Sequence, residues 1–335
     1  MAERIPVIDV AGFARGDETT RQRIAADVAQ AVEEIGFLSV TGHGVPQSVI
    51  DRVRAGAWTF FNQPLADKQR YLHPSRNLNR GYTPFGEEHN AASAGNDAAA
   101  DLREGFIFGP LQLPDGIAPG TAAAHAYQPN IWPDALPGVS EAFQRYYAAV
   151  ACFNEVLLSI FATALDLPKD FFNQKFRDHS STVRILHYPG QDDDPEEGQL
   201  RCGAHTDFGS HTILLADEAP GGLQVLTRSG KWIDAIPPAN GFIINIGDMM
   251  KMWTNDRWRS NTHRVANPPA DVRSGARLSI AFFTYPNPDA LIECLPTCSS
   301  DEHRPKHPPV LAGDYRRMKV NSIMAPAQNE GSASR

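Results

Sequence analysis

The spacing of apolar positions changes character along the chain. Ile24, Val28, Ala31, Val32 and Ile35 recur three and four apart, one apolar stripe of a helix over 20–35, and Gly36 marks its stop. Before it, residues 5–10 (IPVIDV) alternate apolar and polar as a short strand does. After it, residues 36–46 (GFLSVTGHGVP) predict a buried strand closing in a glycine-rich turn, and 48–61 predict the next helix. From about 78 to 137 the periodicity fades into Ala, Gly, Asn and Pro, including the low-complexity run AASAGNDAAA. Long loops with a few short elements are expected there, and loops of that length usually have a functional reason. Phe143, Tyr147, Val150, Phe153, Leu157, Ile160 and Ala164 then line one face of a long helix.

Beyond Pro168 the runs become short and β-type: 183–188 (VRILHY), 211–215 (HTILL), 223–226 (LQVL), 242–246 (FIINI), 262–265 (THRV), 278–285 (LSIAFFTY) and 291–294 (LIEC). Gly, Pro, Asn and Asp clusters separate them. Many short strands without intervening helices predict a sandwich or jelly-roll barrel rather than a parallel α/β sheet. The chain reads as mainly β with flanking helices. An N-terminal helical and β region (1–120) wraps on a barrel core with its preceding helix (121–325), and the two share one core. A polar tail (326–335) is expected to be disordered.

Composition narrows the function classes. Of 335 residues, 42% are hydrophobic and 21% charged, which excludes wholesale disorder. The formal net charge of −8 argues against a protein built to grip nucleic-acid phosphates or an anionic membrane. No stretch approaches the roughly 18 uninterrupted apolar residues of a membrane span. MAERIPVIDV has no signal-peptide core, and four cysteines do not form a disulfide framework. A soluble, cytoplasmic protein is the expectation.

Eleven histidines are present, and His205 alone has an acid two positions on, Asp207. Chance supplies about one such pair, so context must carry the weight. On a strand, i and i+2 share a face, which lets His205 and Asp207 hold one ion together. His263, 56 positions after Asp207 in a β-type run, is the best placed third ligand. Two imidazoles and a carboxylate on one face of an octahedral ion form the facial triad of non-haem Fe(II), with three positions left open. The plainer role for each histidine is a hydrogen-bonded side chain in a sheet. Arg277 and Ser279 share a face at the start of an apolar strand, where a buried guanidinium needs an anion, either a ligand carboxylate or a protein acid. Tyr188, on the strand before the metal ligands, offers a hydroxyl to that anion or packs in the core.

His205-x-Asp207, His263 and Arg277-x-Ser279 come in the order and spacing of the Fe(II)/2-oxoglutarate dioxygenases related to isopenicillin N synthase, which the chain resembles over nearly its whole length. IPVIDV, GFLSVTGHGVP, the Asn79-Arg80-Gly81-Tyr82 turn, RILHYPG, AHTDFGSHTILL, GGLQV, Gly247-Asp248, WTNDRWRSNTHRV and RLSIAFFTYPN all resemble that family's landmarks. RILHYP, AHTDFGS and NRGY look most like its thymine-dioxygenase-like branch. The resemblance implies a double-stranded β-helix (jelly roll) with Fe(II) on His205, Asp207 and His263. It implies 2-oxoglutarate with its far carboxylate on Arg277, Ser279 and Tyr188, and dioxygen as co-reactant. Oxidative cleavage to succinate and carbon dioxide would be coupled to oxidation, typically hydroxylation, of a C–H bond in a small molecule. The chain departs at Leu186, where many members carry Asn two residues before the strand tyrosine. By the same resemblance, Asn79, Arg184, Phe208 and Phe283 match positions around a flat, polar substrate. Two phenyl rings would sandwich a planar ring while Asn79 and Arg184 hydrogen-bond its edge.

Two further readings stay open at this point: an iron oxidase of the isopenicillin N synthase kind that needs no 2-oxoglutarate, and a non-catalytic binding protein on the same fold. Oligomeric state is not legible. Cys294, Cys298, His303 and His307 have no recognisable zinc spacing. His211 would share the barrel face of His205 only on a straight strand, which Gly209 interrupts. His43 is expected to serve its turn, and 253–259 to be a solvated loop.

Overall fold

A computed structural model describes residues 4–74, 80–90, 99–191, 194–217, 219, 222–272 and 274–324. The expected tail 326–335, most of the AASAGNDAAA run and Asn79 lie outside these residues.

The N-terminal third runs β1 (Val7–Asp9), α1 (Ala11–Arg15), α2 (Glu18–Glu34), β2 (Phe37–Thr41), α3 (Gln47–Phe61), α4 (Leu65–Lys68), β3 (Gly81–Thr83) and β4 (Glu104–Phe108). The Asp17 carboxylate caps α2 by accepting from the Thr20 amide at 2.8 Å. The predicted stripe of α2, Ile24, Val28, Ala31 and Val32, is buried. Gly36 follows with φ +73°, and a Cβ there would meet the Arg259 carbonyl at 2.2 Å, so only glycine turns this corner. α5 (Ala122–Ala126) and the 26-residue α6 (Val139–Ala164) come next, then α7 (Asn173–Phe176). By length and composition α6 passes for a membrane span, but its apolar face lies in the core against α2 and α3.

The rest supplies β5 (Thr182–Tyr188), β6 (Cys202–His205), β7 (His211–Ala216), β8 (Leu223–Leu226), β9 (Trp232–Asp234), β10 (Phe242–Ile246), α8 (Asp248–Trp253), β11 (His263–Val265), β12 (Arg277–Thr284), β13 (Leu291–Ile292), β14 (Val310–Leu311) and α9 (Ala312–Met324). A large sheet has the order β1-β2-β10-β7-β12-β5-β4-β3, and a small one β6-β11-β8-β9. From β5 to β12 the chain passes back and forth between them, the jelly-roll path. β13 and β14 pair separately.

Period-two alternation within the large sheet decides what faces the site. Phe242, Ile244 and Ile246 of β10, Leu278, Ile280 and Phe282 of β12, and Val183 and Ile185 of β5 join the main core with the helices. The opposite face turns toward the small sheet. There Ile243 and Phe37 pack against Leu223 and Val225, and Leu186 and Tyr188 against Cys202 and Val265. The remaining inward positions, among them Arg184, Thr212, Asn245, Arg277, Ser279 and Phe283, are the polar and aromatic ones. Because both faces are covered, these strands read as nearly continuous apolar runs.

One feature differs from expectation, and two more were not placed by the sequence. β4, one of the few short elements in the stretch read as mainly long loops, is a fully buried strand pairing with β5 from Glu104↔His187 to Phe108↔Val183. The segment 312–324 is a helix although its polar DYRRMK run has no clear apolar stripe. The run 253–259 is not a solvated loop: Trp253 and Trp258 are fully buried, and Arg257 pairs with Glu33 at 2.7 Å, pinning the segment to α2.

Candidate active site

His205 closes β6 and His263 opens β11, and the two are direct partners across the antiparallel pair. Their ring centroids stand 4.4 Å apart. Asp207 lies beyond the end of β6, so the shared strand face expected for His205 and Asp207 is not what aligns them. Tertiary contacts do that instead. Asp207 Oδ2 accepts from Thr212 Oγ1 at 2.5 Å and Asn245 Nδ2 at 2.7 Å. Its backbone carbonyl accepts from the Asp248 amide at 2.8 Å. Gly247 makes this close approach possible: a Cβ there would sit 2.3 Å from the Gly209 carbonyl and 3.0 Å from that of Asp207.

The free carboxylate oxygen, Oδ1, lies 3.8 Å from His205 Nε2 and 3.7 Å from His263 Nε2. One ligand atom from each of the three lies within 4.8 Å of the others, and no other group of three or more such side chains converges this way among the described residues. The far ring nitrogens are occupied: His205 Nδ1 faces the Gly203 carbonyl at 2.8 Å and His263 Nδ1 that of Asn261 at 3.1 Å. A carbonyl accepts only from N–H, so each ring keeps its proton on Nδ1 and presents the Nε2 lone pair inward. Burial pushes the Asp207 carboxyl up, but His263, His205 and its two hydrogen bonds outweigh burial and hold it below the ordinary range. Burial and His205 bring His263 down to about 4. A carboxylate beside two imidazoles is the donor set of a non-haem iron centre.

Across the gap, Arg277 of β12 is the register partner of Tyr188 on β5, with Ser279 two residues on and opposite Leu186. Arg277 is 2% exposed, stacks on Tyr188 at 5.0 Å, and leaves Nε and Nη1 without a hydrogen-bond partner. Among the described residues, no protein acid takes the salt-bridge role. A buried fork with two open donors fits a ligand carboxylate. Leu186, where an Asn was common in the resembled family, packs with Tyr188, Cys202 and Val265 beside this fork.

A cavity of about 110 Å³ adjoins the triad and is lined by Arg184, Phe208 and Phe283 as the sequence predicted for the substrate region. Asn79 lies outside the described residues. Sequence reasoning missed Glu88, Arg103, Tyr285 and Arg316, which also line it. Glu88 pairs with both Arg184 and Arg103, and Arg103 also with Asp101 at 3.4 Å. Thr212 and Asn245 were missed as well; as isolated polar residues in apolar strands, they carried a faint signal.

The features set aside in the sequence prove structural. His211 points away from the triad into the core, between Ser210 Oγ at 2.6 Å and Asn154 Oδ1 at 2.7 Å. His43 ties its turn to Asn240 and Val45. His307 pairs with Asp256 at 2.7 Å, and His303 with Ser300.

Two family models match the chain: the non-haem dioxygenase N-terminal model (named for morphine synthesis) over residues 5–135, and the 2OG-Fe(II) oxygenase superfamily over 179–286. The 2-oxoglutarate-Fe(II) type oxidoreductase hxnY of Emericella nidulans is 35% identical over 326 residues, spanning 93% of this chain and 88% of its own. Proline hydroxylase buaE of Petromyces alliaceus is 35% identical over 276 residues, 79% of this chain and 82% of its own. Among solved structures, the full-length thymine-7-hydroxylase of Neurospora crassa in complex with alpha-KG superposes with a TM-score of 0.83 at 28% identity, covering 95% of this chain and 96% of that one. The same enzyme has been solved with thymine and with 5-formyluracil. Likeness of this extent, joined to a His-Asp-His cluster between two jelly-roll sheets, means that the chain belongs to the 2OG-Fe(II) oxygenase superfamily and is a dioxygenase using Fe(II), 2-oxoglutarate and dioxygen.

Proposed function

We propose that His205, Asp207 and His263 hold the iron, that Arg277, Ser279 and Tyr188 hold the far carboxylate of 2-oxoglutarate, and that the enzyme hydroxylates a small, polar, planar molecule in the adjoining cavity. The observation that carries this reading is the buried Arg277 fork, open at Nε and Nη1, beside Tyr188 on the strand face that packs against β6 and β11, the strands of His205 and His263. When bound, the iron centre with its cosubstrate and dioxygen supplies the oxidising chemistry. The chain's own part is binding and orientation. The Gly203 and Asn261 carbonyls fix the two imidazoles, while Thr212 and Asn245 hold one oxygen of Asp207 so that the other faces the ion. Arg277 is always charged and leaves the cosubstrate one productive orientation. Phe208 and Phe283 restrict water, and Arg184 offers an edge donor. The size of the cavity, and the thymine and 5-formyluracil bound by the Neurospora crassa enzyme, support a small ring rather than a nucleic-acid polymer.

Anaerobic titration of the protein with Fe(II) and then 2-oxoglutarate tests the assignment through the weak visible band of a chelated keto acid. Wild type should develop the band. Asp207→Ala should fail to bind iron, and Arg277→Ala should bind iron but need about 100-fold more 2-oxoglutarate. A band that is unaffected in Arg277→Ala would overturn the cosubstrate assignment, and intact iron binding in Asp207→Ala would overturn the triad.

A further inference from the structure

Arg316 sits on α9, outside the jelly roll, and lines the cavity together with Val320 one turn on. It is 5% exposed. One nitrogen, Nη1, donates to the Ser180 carbonyl at 2.9 Å and to Ser180 Oγ at 3.2 Å. The guanidinium lies over the Tyr285 ring at 4.1 Å, and Tyr285 also lines the cavity. No carboxylate pairs with Arg316 among the described residues. Burial weighs most against its charge, and Tyr285, Tyr147 and Tyr127 partly offset it. The other two arginines of the cavity are provided for: Arg184 by Glu88, and Arg103 by Glu88 and Asp101. Three guanidinium groups thus meet two carboxylates, while Asp207 belongs to the metal cluster. Asp178 and Asp289 act with Arg316 on Tyr127, but neither pairs with Arg316, and Asp178 pairs with Arg177. His125 is held below its ordinary range by burial and then by Arg316, Arg317 and Arg80, a local excess of positive charge.

A fully buried guanidinium without a counter-ion is costly, because the desolvation of the charge is not recovered. Ser180 satisfies one nitrogen and leaves the charge itself unmatched. From this we infer that the substrate is a small anion, most simply a ring carboxylate, whose negative group pairs with Arg316 while Phe208 and Phe283 flank its ring. The inference rests on the proposed function and supplies the charge of the molecule that function requires. Arg277 is not among the residues lining this cavity, so the anion at Arg316 is distinct from the 2-oxoglutarate carboxylate at Arg277, and both are held at once.

Equilibrium binding to the anaerobic Fe(II)- and 2-oxoglutarate-loaded protein tests this, by calorimetry and by perturbation of the keto-acid band. The probes are three pairs alike in ring and different in charge: benzoate and benzamide, phenylacetate and phenylacetamide, cinnamate and cinnamamide. At least one acid should bind roughly tenfold or more tightly than its amide. That preference should fall to within about twofold in Arg316→Gln, persist in part in Arg316→Lys, and remain in Ser180→Ala, which removes the Oγ contact but keeps the backbone tie and the charge. If no acid exceeds its amide in wild type, or the preference survives in Arg316→Gln, the inference is wrong. A wild-type keto-acid band that fails to form is instead a failure of the proposed function, and an intact band in Arg316→Gln shows that the variant is folded.

Discussion

At the level of single residues, the site depends on side chains that never touch an ion. Asp207 can present one oxygen only because Asn245 and Thr212 occupy the other. Replacing Asn245 by Leu keeps the volume and removes that donor. Fe(II) affinity in anaerobic titration should fall about 10–100-fold while the protein stays folded. An unchanged affinity would mean that the carboxylate is oriented by its loop alone. His205-x-Asp207 was legible because both residue types are metal donors two apart in sequence. Asn245 was not, since one polar residue in FIINI does not say which face it occupies. Arg316 was still less visible, because the DYRRMK run has no clear apolar stripe to mark which of its positions tertiary packing covers.

Among elements, periodicity succeeded where one face is apolar and the other polar. The stripes of α2, α3 and α6 are of that kind, whereas β5, β7, β10 and β12, buried on both faces, were legible as short apolar runs bounded by Gly, Pro, Asn and Asp. β4 was hidden: five residues buried on both faces, set in a stretch rich in Ala, Gly and Pro, have no alternation to read. Its Phe106 is fully buried, 4.7 Å from Phe60 and 5.7 Å from Phe143 between ring centroids. Phe106→Ala should cost about 3–5 kcal/mol in urea unfolding. A loss under about 1 kcal/mol would mean that β4 contributes little to the core. The turn between β10 and α8 sets the metal loop by close backbone approach. Gly247→Ala should therefore weaken Fe(II) binding more than it lowers Tm, and equal effects on both would argue for a general packing role.

For the molecule as a whole, buried neutral histidines tie stability to pH. Burial holds His211 at about 3 and His179 at about 4, against 6.5 ordinarily. Below pH 6.5 the unfolded chain takes up these protons and the folded chain does not, so their contribution is complete above about 6.5 and is lost as the pH falls toward 4 and then 3. Each histidine adds a slope of about 1.4 kcal/mol per pH unit inside that window. Urea unfolding from pH 7.5 to 5 should show stability declining with acid, and His211→Gln should be flatter over the same range. An equal slope in the variant would rule out His211 as a source.

Four strands from the first 108 residues lie in the same large sheet as the barrel, and one main core runs through both regions. The sequence by itself determined which segments form the principal helices and strands, and which residues are candidates to bind iron and a dicarboxylate. Those properties are local, set by side-chain chemistry and by spacing within one element. Only the tertiary structure decided which face of each buried strand looks inward, how Asp207 is turned toward two histidines from a loop, and that Arg316 is buried with no paired carboxylate among the described residues. Those outcomes depend on register between distant strands and on removal of charge from water, and neither is a property of any stretch of chain taken alone.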